Sequence, residues 1–399
     1  MKIAQPMPIY APVAGFCLFA ISICLARFAY GPLVPSLINM HWVSKAEGGY
    51  LGAFNGLGFI IGCVIAIWLP RVTGIRLLMR TSLVLAVIGL GMCFWNLGFA
   101  WFAAGRFSTG VAAAALMIHT PALVVRCVSA EAKGMCLAFA FSGGGIMIVI
   151  ISLALPFFIV NGPSGGWLLE ASITLLVAAV AWPFVSMAPC ERAPASRSVE
   201  RLEPDRGGLL LLVASAYTLM GAGIIPHTLF LADYMNRDLG VSIGDSSSLF
   251  AILGLGCAFG AIYTKILVRL FGTPLSLCIS YAMGVTAIAM VLLFDSVIIV
   301  AGSSFLIGTF LIGSVTLSSI RTLEIVGLSR HPHFWGFMAL GFGLGMALGS
   351  YAMSALLSFE FDYIDLFKVV QVVVIFALGL IIFAWWRYRD FAECAATRI

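Results

Sequence analysis

Two arginines stand inside runs that are otherwise apolar, and they are the residues of this chain best equipped for chemistry. Arg27 lies in the stretch Ile23 to Pro35, ICLARFAYGPLVP, and Arg106 opens the stretch Arg106-Phe107-Ser108-Thr109-Gly110. A guanidinium does not lose its charge, and placing one near the middle of a spanning helix costs about 2.5–3.5 kcal/mol on the mildest scale. Something must offset that cost. Two guanidiniums at one depth would form a clamp for a carboxylate or phosphate, which Arg grips through paired N–H donors. The competing reading is that each caps carbonyls of a broken helix or snorkels towards the headgroups. Pro32 and Pro35 follow Arg27 by one to two turns, and each removes a backbone donor and disturbs the helix locally.

Around this pair the sequence offers few other reactive groups. Tyr30, Asn55 and His227 are expected to line a cargo cavity with Arg27 and Arg106, and Tyr217 and Tyr281 are polar enough to join them. His119, two residues before Pro121, is a candidate for proton coupling, because imidazole titrates near neutral pH; a lone His in a helical bundle is more often structural. Glu170 and Asp233 fall near span ends, where interfacial solvation is the simpler reading. Glu324 follows Arg321 by three residues and reads as a helix-end pair of little worth. With no carboxylate deep in a span, proton coupling has little to work with, and exchange of anions is the simpler mechanism.

Enzyme motifs are missing. There is no G-x-x-x-x-G-K-S/T and no H-E-x-x-H, and no metal or cofactor is expected. One literal G-x-S-x-G, Gly162 to Gly166, lacks the strand-to-helix elbow of a nucleophile and reads as a turn. The ten cysteines include no C-x-x-C spacing and are expected to be free thiols.

The elements that must hold these residues are membrane helices. Of 399 residues, 62% are hydrophobic and 10% charged, and mean hydropathy is +1.09; soluble domains carry about 25% charged residues. About 20 apolar residues make one span. Twelve such runs are predicted, near 12–37, 48–69, 78–97, 99–125, 134–160, 167–188, 208–232, 247–271, 274–294, 296–320, 334–357 and 366–386. The first is too long for a signal-peptide core and lacks a small-residue cleavage site, so it is expected to stay. With a cytoplasmic N-terminus, only Lys45, Arg237 and Lys368 of the 22 Lys and Arg fall outside, with Arg27 and Arg106 within spans. That bias predicts both termini in the cytoplasm. The net charge of +5 then reports topology and gives no sign of a nucleic-acid partner.

The chain also looks duplicated. Ser44-Lys45-Ala46-Glu47 has capping-box spacing, and Ser242-Ile243-Gly244-Asp245 echoes it 198 residues later. At the same offset Gly58 pairs with Gly256, Gly62 with Gly260, Arg71 with Arg269, Gly74 with Gly272, Phe107 with Phe305 and Gly110 with Gly308. This predicts two six-helix bundles, 1–188 and 208–399, joined by a solvated linker, 189–207, of mixed charge with several prolines. The halves run in the same direction, which suits two bundles rocking about a central cavity. Gly341, Gly345 and Gly349 give consecutive G-x-x-x-G steps, and Gly143-Gly144-Gly145 is expected to interrupt span 5; both favour close helix contact or bending.

Twelve spans in two sixes, a charged central linker and a basic Gly-containing turn between spans 2 and 3 resemble the major facilitator superfamily. Its turn pattern is G-x-x-x-D-R/K-x-G-R. Here Arg71 matches, Ala66 replaces the first glycine, Pro70 replaces the acid, and Gly74 and Arg76 come slightly late. Arg71 and Gly74 are therefore candidates for conformational coupling. Arg106 and Gly110 match the family's span-4 pattern R-x-x-Q-G, with Thr109 where Gln is usual. The wording Arg27-Phe28-Ala29-Tyr30-Gly31-Pro32-Leu33-Val34-Pro35, followed by Gly49-Tyr50-Leu51-Gly52-Ala53, is similar to the YbfB/YjiJ-like branch.

The resemblance implies an all-α integral membrane fold and a secondary active transporter working by alternating access. The expected cargo is a small organic solute, anionic or amphipathic, and the expected setting is a monomer in the lipid bilayer of a bacterial inner membrane. Broad-specificity drug efflux is the first alternative. A non-transporting sensor or assembly protein of the same fold is the second.

Overall fold

The computed structural model describes residues 10–129, 132–188, 203–327 and 330–388. Among these there is no strand, and twelve helices are long and apolar enough to cross a membrane. In chain order they are α1 Tyr10–Asn39, α2 Lys45–Thr73, α3 Ile75–Met92, α4 Phe99–Arg126, α5 Lys133–Phe158, α6 Pro163–Ser186 and α7 Pro204–Arg237. A short helix, Ile243–Leu249, leads into a helical run, Ala251–Leu293, that Gly272 divides with φ 72° and ψ 166°. We take 243–271 as α8 and 273–293 as α9. The set closes with α10 Val297–Val326, α11 His331–Ser358 and α12 Tyr363–Arg387. Twelve crossings put the start of α1 and the end of α12 at one face, here the terminal face; the opposite one is the far face. The expected linker 189–207 lies outside the described residues up to 202, and α7 begins at Pro204, whose fixed φ suits a first helical position.

Burial separates centre from rim. In the most apolar window of each span, 89% of α1 and 67% of α10 is buried, against 33% of α12 and 39% of α3. The first two are therefore axial, while α3 and α12 turn large apolar side chains such as Ile88, Val372 and Trp386 outward to lipid.

The duplication seen in the sequence is a duplication of contacts. A methyl group added at Gly58 would collide with the Phe107 carbonyl oxygen, and one at Gly256 with that of Phe305. Likewise Gly110 lies against the Asn55 carbonyl and Gly308 against that of Leu253. Each pair is shifted by the same 198 residues. The α2–α4 and α8–α10 crossings thus share one glycine-to-carbonyl design, in which backbones approach because no side chain intervenes. The glycines that end α2 and α8 match too, Gly74 at φ 83° and Gly272 at φ 72°, a conformation that favours Gly.

The capping box before α2 is complete. Glu47 N–H donates to Ser44 Oγ at 3.2 Å, and Ser44 N–H donates to Glu47 Oε2 at 2.8 Å. Before α8 only half of it survives. Asp245 N–H donates to Ser242 Oγ at 3.1 Å, but the shorter Asp side chain accepts from the Ser242 hydroxyl instead, at 2.6 Å.

Two sequence expectations are corrected here. The three glycines of α5 do not interrupt it, since the helix runs unbroken from Lys133 to Phe158. They serve as contact points: Gly143 meets the Phe16 carbonyl and Gly144 the Ile23 side chain of α1, while Gly145 meets Gly254 and Ala258 of α8. The Arg321–Glu324 pair is also more than a surface pair. Arg321 Nη1 donates to Glu324 Oε2 at 2.8 Å with 7% of the Arg side chain exposed, and Thr273 donates to the other carboxylate oxygen at 2.5 Å. It ties α10 to the first residue of α9.

The two halves meet along α2–α11 and α5–α8. Gly49, Gly52 and Gly56 of α2 abut Ser354, Ser350 and Ala347 of α11, so small residues set the seam's spacing.

Candidate functional site

The centre of the molecule is built on a widened helix. α1 adopts a π-helical turn over Ala20–Phe28, and Ala29 N–H reaches back five residues to the Cys24 carbonyl at 2.9 Å. Pro32 can return no N–H to the preceding turn, and side chains from neighbouring helices take over the loosened carbonyls. Arg106 of α4 donates from Nη1 to the Ala26 carbonyl at 3.4 Å and from Nη2 to that of Arg27 at 3.2 Å. Asn55 of α2 donates through Nδ2 to the Ala26 carbonyl at 2.9 Å, the Arg106 carbonyl at 2.9 Å and Thr109 Oγ1 at 3.0 Å. Thr109, where the family pattern has Gln, also donates to the Arg106 carbonyl at 2.8 Å. Arg106, Asn55 and Thr109 therefore form a polar staple that joins α1, α2 and α4. Shifted by 198 residues, the same three positions hold Ser304, Leu253 and Ile307. The second half thus has no residues to build a matching staple there.

The two arginines share a level but aim apart. Arg106 is 1% exposed, lies over the Tyr30 ring at 4.4 Å and is directed into its own half. Arg27 is 6% exposed and points across the seam to α11. Its guanidinium lies over Phe59 of α2 at 4.2 Å and 5.7 Å from the Phe342 ring of α11, with Nη2 on the Met346 sulfur. Thioether sulfur is a weak acceptor. Among the described residues Arg27 Nε has no hydrogen-bond partner, and no carboxylate pairs with this guanidinium. The two guanidiniums that the sequence was expected to bring into one clamp thus have different partners. Arg106 caps the carbonyls of a broken helix, and Arg27 alone faces the seam.

Other expected cavity residues have internal partners. Tyr30 is fully buried, donates to the Gly48 carbonyl at 2.9 Å and stacks on Trp167 at 5.9 Å. His227 is fully buried in the second half, with Nε2 3.0 Å from Ser303 Oγ and its ring edge-on to Phe367 at 5.1 Å. Neither they nor Asn55 faces the seam as a free group. His119 Nε2 lies 3.0 Å from the Ala66 carbonyl, joining α4 to the terminal end of α2. Arg71 stacks over Trp68 of its own helix at 4.4 Å, and Gly74 makes the turn that follows.

Two carboxylates depart from the sequence expectation. Glu170 and Asp233 are both fully buried rather than solvated at an interface. Neither oxygen of Glu170 has a hydrogen-bond partner among the described residues, and Arg106 is its charged neighbour. Asp233 accepts from Tyr363 and from Arg237 Nε at 2.9 Å. Arg237 then reaches across the halves to Asn39 Oδ1 at 2.7 Å, and Asn39 donates to Asn236 at 3.2 Å. Ser247 adds a bond to the Pro32 carbonyl at 2.8 Å, and Lys45 lies over the Tyr363 ring at 5.4 Å. This is a polar latch between the halves at the far face. Partial burial raises the Asp238 carboxyl above its ordinary value, with Lys45 the chief opposing charge. The i, i+4 spacing of Asp233 and Arg237 was the available signal in the sequence.

A family model described as an uncharacterised MFS-type transporter, YbfB, matches residues 19–382. Among solved structures, a bacterial homologue of the human lysosomal transporter Spinster, captured inward-facing and unoccupied, superposes with a TM-score of 0.68 at 15% identity. The match covers 98% of each chain and bears on the fold alone. No curated protein matches the chain.

Proposed function

This chain belongs to the YbfB family of major facilitator transporters, and from that premise we propose that it moves a small organic anion held at Arg27. It is a secondary transporter of the bilayer. The observation that carries the cargo reading is Arg27 itself, a permanent charge at the seam of the two halves whose side-chain acceptor, among the described residues, is a sulfur. Burial of that charge costs about 2.5–3.5 kcal/mol, and a desolvated cation–π contact returns about 2 kcal/mol. An anion bound there would supply the missing counter-charge.

Rocking of 1–188 against 208–399 would then expose Arg27 to each side in turn. The basic residues of the terminal face favour a cytoplasmic setting for it, and in that orientation the polar latch closes the outer side. The chain acts as a monomer in this reading, since one copy holds both halves. The test is uptake or exchange of organic anions by the purified protein in proteoliposomes, with Arg27→Gln beside the parent. Transport that is equal in the two would refute the assignment.

A second reading, proton coupling, is favoured by Glu170, whose buried carboxyl group has no hydrogen-bond partner among the described residues. It predicts uptake that responds to an imposed pH gradient and loses that response in Glu170→Gln.

A further inference from the structure

The surroundings of Arg27 carry information about the body of the cargo as well as its charge. On the side of the second half, Tyr217 stacks on Phe342 at 5.1 Å and 26° and packs against Trp335 at 5.7 Å. Phe342 in turn lies 5.7 Å from the Arg27 guanidinium, and the Phe59 ring lies 4.2 Å from it. The Tyr217 hydroxyl, on the ring stacked against Phe342, is buried without a hydrogen-bond partner among the described residues. A guanidinium whose Nε is unpartnered and whose side-chain acceptor is a sulfur calls for a ligand group that accepts.

The number of charges narrows this group. Arg106 is committed to carbonyls of α1, so among the described residues Arg27 is the cation left to neutralise a ligand here. A second negative charge on the ligand would be buried without a counter-ion, which is costly. A monocarboxylate fits and a phosphate dianion does not. The walls are flat rings, which pair best with another ring. Met346, a flexible side chain that repacks readily, covers Arg27 and would yield to the ligand.

We propose that the cargo is an aromatic monocarboxylate, its carboxylate on Arg27 and its ring against Phe342 and Phe59. This rests on the reading of Arg27 as an anion site.

The test measures binding of benzoate, cyclohexanecarboxylate, hexanoate and inorganic phosphate to the detergent-purified full chain by thermal stabilisation. Benzoate is expected to bind about tenfold more tightly than cyclohexanecarboxylate, the scale of one to two ring stacks, and phosphate not to bind. Phe342→Leu should remove the benzoate advantage while leaving hexanoate binding in place, which also shows that the variant folds. Equal binding of benzoate and cyclohexanecarboxylate, an advantage that survives Phe342→Leu, or a preference for phosphate would overturn the aromatic assignment while leaving Arg27 as an anion site. Carboxylate binding that survives Arg27→Gln would overturn both.

Discussion

Arg106→Gln separates a structural arginine from a cargo-binding one. The substitution removes two charge-assisted bonds to the Ala26 and Arg27 carbonyls, at 3.4 and 3.2 Å, and the contact over Tyr30 at 4.4 Å. Bonds to charged groups are worth about 1.5–3 kcal/mol each, with these near the low end because they are long, and a desolvated cation–π contact adds about 2 kcal/mol. Against this, removing a buried charge recovers about 2.5–3.5 kcal/mol. Asn55 still caps the Ala26 carbonyl at 2.9 Å. The net loss is therefore about 1–3 kcal/mol, or a fall in Tm on the order of 1–4 °C. Arg106→Lys should recover little, because a compact ammonium lacks the planar fork that spans two carbonyls. The assay is a thermal melt of the purified variants with and without a stabilising carboxylate. Both variants should melt lower than the parent, yet show the same ligand-induced increment. An unchanged Tm combined with a lost increment would refute the staple and restore Arg106 as a cargo ligand.

Other changes test the same architecture. Asn55→Leu, which installs the residue found at the equivalent second-half position, Leu253, should cost about 1–3 kcal/mol by removing the buried hydrogen bonds that Asn55 makes to α1 and α4, read as a lower Tm. Gly58→Ala and Gly256→Ala should each cut the yield of folded protein, because the added methyl meets a carbonyl oxygen, while Gly91→Ala, with open space around it, should be tolerated. Arg237→Ala removes the reach to Asn39. In a cysteine-free background it should speed labelling of a cysteine placed at Ser247 by an impermeant maleimide added from the far face, and an unchanged rate would remove the latch from the account.

The fold was legible because its signals are local. Apolar runs of spanning length, the break at Gly272 and the Ser44–Glu47 box each depend on a few adjacent residues. The repeat was legible because glycines that admit a backbone carbonyl tolerate no other side chain, as at Gly58 and Gly256. The site was legible in part. An arginine in a span announces its cost wherever it points, but Arg27 and Arg106 differ in direction, and direction depends on which helix packs alongside. The burial of Glu170 and Asp233 was hidden for the same reason, since a position near a span end says nothing of the neighbours that cover it. Phe59 and Phe342 carry no signal of their own among so many aromatic residues; only their convergence on Arg27 marks them.

The central claim is that Arg27 binds an anion. The most direct measurement is thermal stabilisation of the purified chain across organic anions, cations and neutral drugs, in parallel with Arg27→Gln. Shifts from anions alone, lost in the variant, are expected. Shifts from cations or neutral drugs that persist in Arg27→Gln would contradict it and point to broad-specificity efflux.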